Sequence, residues 1–233
     1  MTKVIPTQSL LTIAFALAMT VSVPPRANAA NQNPTILPPN SAPQGKTYGE
    51  WSALWLKWAF EPPQATNPLF GSGPVNCAQG QSGRVWFLAG TSAPGNAVYR
   101  MCSIPAGISL FFPVGNAFCA GDDFPNGFAD ERACATSLAP DRNYLVEIDG
   151  LRVNGLEGGL FETLYRAFSP PFDLVLGSDN LFNAPAGTYS PAAGDGAYLF
   201  LAPLTPGMHT IHIHAEFATG GQIDVTYQLT VQP

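Results

Sequence analysis

A mainly β fold is what this sequence predicts: a two-sheet sandwich or jelly roll with one tryptophan-rich α-helix packed on it. Three observations carry that expectation. Apolar and polar residues alternate over many short segments, the period of a half-buried strand. Glycine and proline number 23 each while charged residues make up only 11%, a composition suited to short strands joined by many turns and too apolar for disorder. Convincing helical spacing occurs in one place, so helices do not alternate with strands as a parallel α/β sheet would require.

The ends of the chain come before the fold. Residues 1–29 read as a secretory signal: Lys3 supplies a thin positive start, residues 10–23 are apolar, and Ala27-Asn28-Ala29 is a small-x-small cleavage site. The apolar run is about fourteen residues, short of the roughly 20 that a spanning helix needs. No later stretch comes near that length, so no membrane span is expected. The expected location is secreted or periplasmic. Residues 30–46, rich in Pro, Asn, Ser and Gly, form a flexible or extended lead-in, and residues 47–233 a single sandwich domain. Without Lys3 and Arg26 the ten basic residues become eight against sixteen acidic ones, a net charge of −8. That balance argues against nucleic acid and against an anionic membrane surface as partners.

All four cysteines, Cys77, Cys102, Cys119 and Cys134, follow the signal segment. An even count in an exported chain reads as two disulfides. Of the three connectivities, the local one, Cys77–Cys102 with Cys119–Cys134, neither crosses nor nests. No cysteine pair has the spacing of zinc ligands.

Thr47-Tyr48-Gly49-Glu50 is a capping box, and the helix it opens should stop near Phe60, before Pro62-Pro63. Tyr48, Trp51, Leu54, Trp55 and Trp58 fall on one helical stripe. The stripe reads either as core or as an aromatic platform for sugar rings, which would need Trp51, Trp55 and Trp58 exposed. Leu56 and Phe60 on the far side favour the core.

Residues 84–90, 98–102 and 108–114 read as strands, with turns at Pro94-Gly95 and Pro105-Ala106-Gly107. The double aromatic Phe111-Phe112 calls for a strand covered on both faces. Between Cys119 and Cys134 lie Asp122, Asp123, Asp130 and Glu131, with a turn at Pro125-Asn126-Gly127. The segment reads as a solvated acidic loop. A Ca²⁺ ion there would take six to eight oxygens, but the EF-hand spacing is missing. Residues 143–148 form a strand leading through Asp149-Gly150, a hairpin turn, into residues 151–153. Residues 159–168 fit a short helix or an irregular strand. Residues 172–176 and 197–201 are further strands, separated by a Gly/Pro/Asn-rich connection.

The last strand pair is where spacing hints at chemistry. In residues 206–217, Ile211, Ile213, Ala215 and Phe217 share one face, and Thr210, His212, His214 and Glu216 the other. Residues two apart on a strand lie about 6.5–7 Å apart, close enough for His212 and His214 to reach one ion. The partner strand, residues 223–231, must turn Val225, Tyr227 and Leu229 inward, which demands an odd-length loop. A three-residue loop, residues 218–220, places Asp224 opposite His214 and builds a two-His, one-carboxylate set, whereas a five-residue loop places it opposite Glu216 and builds none. In an ordinary sandwich this face simply meets solvent, with the side chains splayed apart, and that is the outcome expected here. His209 falls on the other parity, as a structural hydrogen bonder.

Several runs resemble a family of uncharacterised secreted bacterial proteins: Tyr48-Gly49-Glu50-Trp51-Ser52 with Trp55 and Trp58; Gly80-Gln81-Ser82-Gly83 with residues 85–90; Ile104-Pro105-Ala106-Gly107 with residues 110–113; and Gly207, residues 209–212 and residues 224–227. The resemblance implies a single domain and brings no activity with it. His214 lies outside its pattern. The chain has no internal repeat, no phosphate-binding glycine loop ahead of a helix and no nucleophile elbow. The leading expectation is therefore a secreted, non-enzymatic binding or structural domain for an extracellular glycan or protein, without cofactor. The rival is a hydrolytic or oxidative enzyme with a Zn, Cu or Ca ion on His212, His214 and Asp224.

Overall fold

The capping box works as its residues dictate. The Glu50 amide donates to Thr47 Oγ1 at 3.2 Å and the Thr47 amide donates to Glu50 Oε2 at 2.7 Å, opening helix α1, Tyr48–Phe60. The computed structural model describes residues 35–91, 95–121 and 128–233, all within the compact unit Asn31–Pro233. The signal segment, the residue Pro94 and the stretch holding Asp122, Asp123 and the Pro125-Asn126-Gly127 turn lie outside the described residues.

Two sheets make the body of the fold. The first is six-stranded, in the order β1 (Gly73–Pro74), β3 (Val98–Pro105), β11 (Gln222–Gln232), β10 (Gly207–Glu216), β5 (Arg142–Ile148) and β6 (Leu151–Arg152). The second runs β2 (Val85–Phe87), β4 (Ser109–Ala120), β9 (Gly187–Leu201) and β7 (Arg166–Phe168), with β8 (Phe172–Leu176) also paired to β9. Most pairs are antiparallel; β3 lies parallel to β1 and to β11, and β2 lies parallel to β4.

The predicted alternation decides what lies between the sheets. Ile211, Ile213 and Ala215 of β10 and Val225, Tyr227, Leu229 and Val231 of β11 meet Leu110, Phe112 and Val114 of β4 and Leu199 and Leu201 of β9 in one buried cluster. Neighbouring side chains on a strand point to opposite faces, so Phe111 turns the other way. There it joins Tyr198 and Phe200 beneath Tyr48, Trp51, Trp55 and Leu56 of α1. The Phe111-Phe112 pair thus sits in a strand covered on both sides, as its sequence requires, and the molecule has three layers: sheet, sheet, helix.

The helix lies close to its sheet because glycines let it. A Cβ at Gly49 would stand 2.3 Å from the Phe168 carbonyl oxygen, and one at Gly194 would stand 2.4 Å from Leu56 Cδ1. The lead-in is also tied down from Thr35 on. The Leu37 amide donates to the Phe200 carbonyl, and Trp51 Nε1 donates to the Pro43 carbonyl.

Both disulfides take the local pairing, Cys77–Cys102 and Cys119–Cys134. The segment read as an acidic loop contains instead a second helix, α2, Phe128–Leu138, carrying Asp130 and Glu131. Cys134 ties it to β4, and Thr136 Oγ1 donates to the buried Asp195 carboxylate, which Arg166 also grips through Nε and Nη2. Residues 159–168, open between helix and strand, resolve as turns leading into the three residues of β7.

Candidate functional site

Two surfaces carry the side chains that the sequence singles out. The first is the outer face of the β10–β11 hairpin. The loop between these strands leaves His214 opposite Asp224 and His212 opposite Thr226, the register in which Asp224 can serve both histidines. The side chains do not splay into solvent. Asp224 Oδ1 lies 3.1 Å from His212 Nε2, and Asp224 Oδ2 lies 3.6 Å from His214 Nδ1. The outward ring nitrogens face acids from either side: His214 Nε2 is 3.3 Å from Glu216 Oε1, and His212 Nδ1 is 4.0 Å from Glu147 Oε2 of β5.

This is a ladder of pairs in which each imidazole meets a different oxygen of Asp224. Among the described residues, no group of three or more His, Cys, Asp and Glu side chains is placed to hold a metal ion. The expected splaying is thus replaced by hydrogen bonding, since each half-buried imidazole gains a charge-assisted partner by turning along the sheet.

His209 takes the structural role expected of it. Its Nδ1 lies 2.7 Å from Asp149 Oδ2 and its Nε2 lies 2.8 Å from the Thr205 carbonyl oxygen. Both partners are acceptors, so the doubly protonated ring suits the pocket. Partial burial works against the charge, but the Asp149 carboxylate and the Thr205 carbonyl outweigh it and hold the His209 imidazole above its ordinary value. The linkage follows in sign. The contact contributes fully below about pH 6.5, the unfolded value, and its contribution is lost as pH rises through the raised folded value. In urea titrations at pH 5.5 and 9, wild type should lose more stability across that interval than His209→Gln; parallel losses would remove the assignment.

The second surface is a groove of about 350 Å³ at the carboxy-terminal half of α1. Its walls come from Trp58, from the loop carrying Gln64, Asn67 and Phe70, from the loop carrying Asn76, Cys77 and Gln79, and from Phe87 at the end of β2. The three tryptophans of the stripe part company here. Trp55 and Trp51 are 1% and 9% exposed, and the Trp55 indole donates to the Leu88 carbonyl at 2.9 Å. Their ring faces are spent on Phe111, Phe200 and their neighbours in the core, so neither offers a platform to a sugar. Trp58 alone is half-open. Its Nε1 donates to the Gln79 carbonyl at 2.9 Å, its ring stands 5.5 Å from that of Phe87, and Gly80 lies against its edge, where a Cβ would sit 3.2 Å from the indole.

What holds this groove in shape is a residue that sequence patterning did not single out. Arg100 sits on β3 with the inward parity of Cys102 and Ile104 and is 1% exposed. It donates to four carbonyl oxygens and a hydroxyl: Nε to Gly71 at 3.2 Å, Nη1 to Ala89 at 3.0 Å, to Gly90 at 2.8 Å and to Tyr227 Oη at 2.9 Å, and Nη2 to Leu69 at 3.0 Å. Among the described residues no carboxylate forms an ion pair with it. Burial pushes the Tyr227 phenol above its ordinary value, so the hydroxyl stays protonated and donates to the Ala89 carbonyl at 3.0 Å. The signal that could have found Arg100 is its parity, a lone cation among inward-facing residues.

Among the described residues Arg100 is the one charged residue lining the groove, and its charge is sealed beneath carbonyls. What faces the opening is aromatic and amide. Phe70 is 41% exposed. The Asn76 side-chain oxygen accepts from the Ala78 amide, which leaves its Nδ2, like the whole side-chain amide of Gln79, without a hydrogen bond among the described residues. Such a site can stack a flat apolar face and hydrogen-bond hydroxyls at its rim. No helix among the described residues is long and apolar enough to cross a membrane. Compared with family models, with curated proteins and with solved structures, the chain finds no match in any of the three.

Proposed function

We propose that this protein is a secreted binding module, non-enzymatic, whose disulfide-stabilised sandwich presents the Trp58 groove to an extracellular glycan. The observation that carries the reading is the groove itself: a half-open indole fixed by its own hydrogen bond, flanked by Phe70 and Phe87 and rimmed by the amides of Asn76 and Gln79. Sugar rings present apolar C–H faces and a fringe of hydroxyls, and they match that combination. The signal-like residues 1–29 and the two disulfides support export to an oxidising compartment.

Arg100 supports the same reading from below. By tying the carbonyls of Leu69, Gly71, Ala89 and Gly90 to one guanidinium, it fixes two loops before any ligand arrives. A preformed groove loses less ordering entropy on binding.

The test is a glycan-array screen of residues 30–233, followed by titration of any hit with wild type and Trp58→Ala. Loss of the ring should weaken binding about tenfold, ~1.4 kcal/mol, with a folded far-UV spectrum retained. A wild type that captures no glycan, or a Trp58→Ala variant that binds as well, would remove the proposal.

A further inference from the structure

Trp58 and Phe87 line two hollows, one on either side. Beyond the groove described above lies a second of about 540 Å³, lined by Trp51, Leu54, Trp58, Gly80, Val85 and Phe87, and also by Lys46 and Arg84. Among the described residues no acidic one lines it. Both cations are exposed, and among the described residues neither forms a salt bridge.

Arg152 is likewise exposed and without a salt bridge among the described residues, but it lines a different hollow together with Glu157. Elsewhere Lys57 pairs with Glu61, Arg142 with Asp141 and Arg166 with Asp195, while Arg132 lies over the Phe168 ring and Arg100 is sealed under carbonyls. The acid whose field reaches Lys46 is Glu50, and the Glu50 carboxylate is committed to the Thr47 amide and hydroxyl in the capping box. A lysine just before a helix amino terminus is also unfavourably placed against the helix dipole. Two cations therefore stand over one aromatic hollow, in a protein with a net charge of −6, and helix stability does not account for Lys46.

We infer that the second hollow is an anionic subsite of the same binding surface, so that the preferred ligand is an acidic glycan. This rests on the glycan-binding reading of the Trp58 groove. The chain crosses the ridge formed by Trp58, Gly80 and Phe87, with neutral rings in the amide-rimmed groove and an acidic substituent, carboxylate or sulfate, between Lys46 and Arg84. An overall acidic protein repels such a polymer at long range. A local pair of cations next to the stacking ring therefore decides where and in which direction the polymer settles.

The experiment compares three hexasaccharides by titration calorimetry at low salt: a neutral glucan, an oligogalacturonate and a sulfated galactan. Proteins are wild type, Lys46→Gln/Arg84→Gln and Trp58→Ala. Wild type should bind at least one acidic chain about tenfold more tightly than the neutral one, a margin that shrinks as salt is added. The double variant should bring that ratio to about one, and Trp58→Ala should weaken every ligand that binds. The two acidic arms show whether carboxylate or sulfate is taken. Equal affinity for neutral and acidic chains, or a ratio that the double variant leaves unchanged, overturns the anionic subsite while the glycan module stands. Binding of none of the three overturns both.

Discussion

Arg100→Met should lower the unfolding free energy by about 3–5 kcal/mol, the range for breaking a fully buried polar cluster at one partner. Methionine fills much of the volume but returns no donor. The carbonyls of Leu69, Gly71, Ala89 and Gly90 lose the guanidinium that joins them, and Tyr227 Oη loses one of its donors. Lysine would not rescue the variant. A single ammonium on a flexible stem cannot span acceptors arranged around a planar fork. Urea denaturation with an unchanged m-value measures the loss, and a drop under about 1 kcal/mol would show that water replaces the fork without penalty. Because the same loops wall the Trp58 groove, ligand affinity should fall along with stability.

The second large effect concerns the bridge beside that groove. Cys77→Ser/Cys102→Ser opens a loop of 25 residues, worth about 3.5 kcal/mol in the chain-entropy account. Opening the 15-residue loop of Cys119–Cys134 is worth about 3 kcal/mol on the same scale. The two losses should differ in what they do to binding. Cys77 lies between Asn76 and Gln79 on the groove wall, so its removal should weaken glycan capture, while removal of the second bridge should leave capture intact in protein that remains folded. Equal effects on binding would mean that the bridge does not position the wall.

Much of this architecture was legible where one local rule fixes one element. Thr47 and Glu50 give the start of α1 in full. The alternation of residues 207–216 gives the buried face of β10 and demands an odd-length loop, while the choice of the three-residue loop that matches Ile213 with Val225 over a five-residue one comes from the fold. Asp149 and Gly150 both take positive φ, 52° and 75°, as a tight two-residue hairpin requires. Other elements were hidden because tertiary contacts decide them. Helix α2 has no clean apolar stripe; the bridge to β4, the Thr136–Asp195 hydrogen bond and Arg132 against Phe168 hold it instead.

The first half of β9 was hidden for a different reason. Its glycines read as turn residues, yet Gly194 and Gly196 sit mid-strand where Leu56 and Asn116 press on the backbone. There glycine records a close approach, not a break in the strand. At the candidate sites, the face carrying His212 and His214 was legible from parity. Glu216 shares that legible face, but the flanking of His212 by Glu147 was not legible, because nothing in the sequence made β5 the neighbour of β10. The separation of Trp58 from Trp51 and Trp55 depends on loops 64–71 and 75–80, whose course no periodicity sets.

The order of strands in the two sheets has a consequence for how the protein behaves in concentrated solution. Long strands, β4, β9, β10 and β11, occupy interior places, whereas the borders are taken by β1 and β6, of two residues each, by β2 and β7, of three, and by β8, of five, which also lies along β9. Pro74 in β1 has no N–H to offer a newcomer. Two native molecules thus meet only short border strands, of five residues at most, along which to zip together, the usual first step toward fibrils. Self-assembly would have to wait for an interior strand to be released. The lag before aggregation should then follow the rate of global unfolding rather than protein concentration alone.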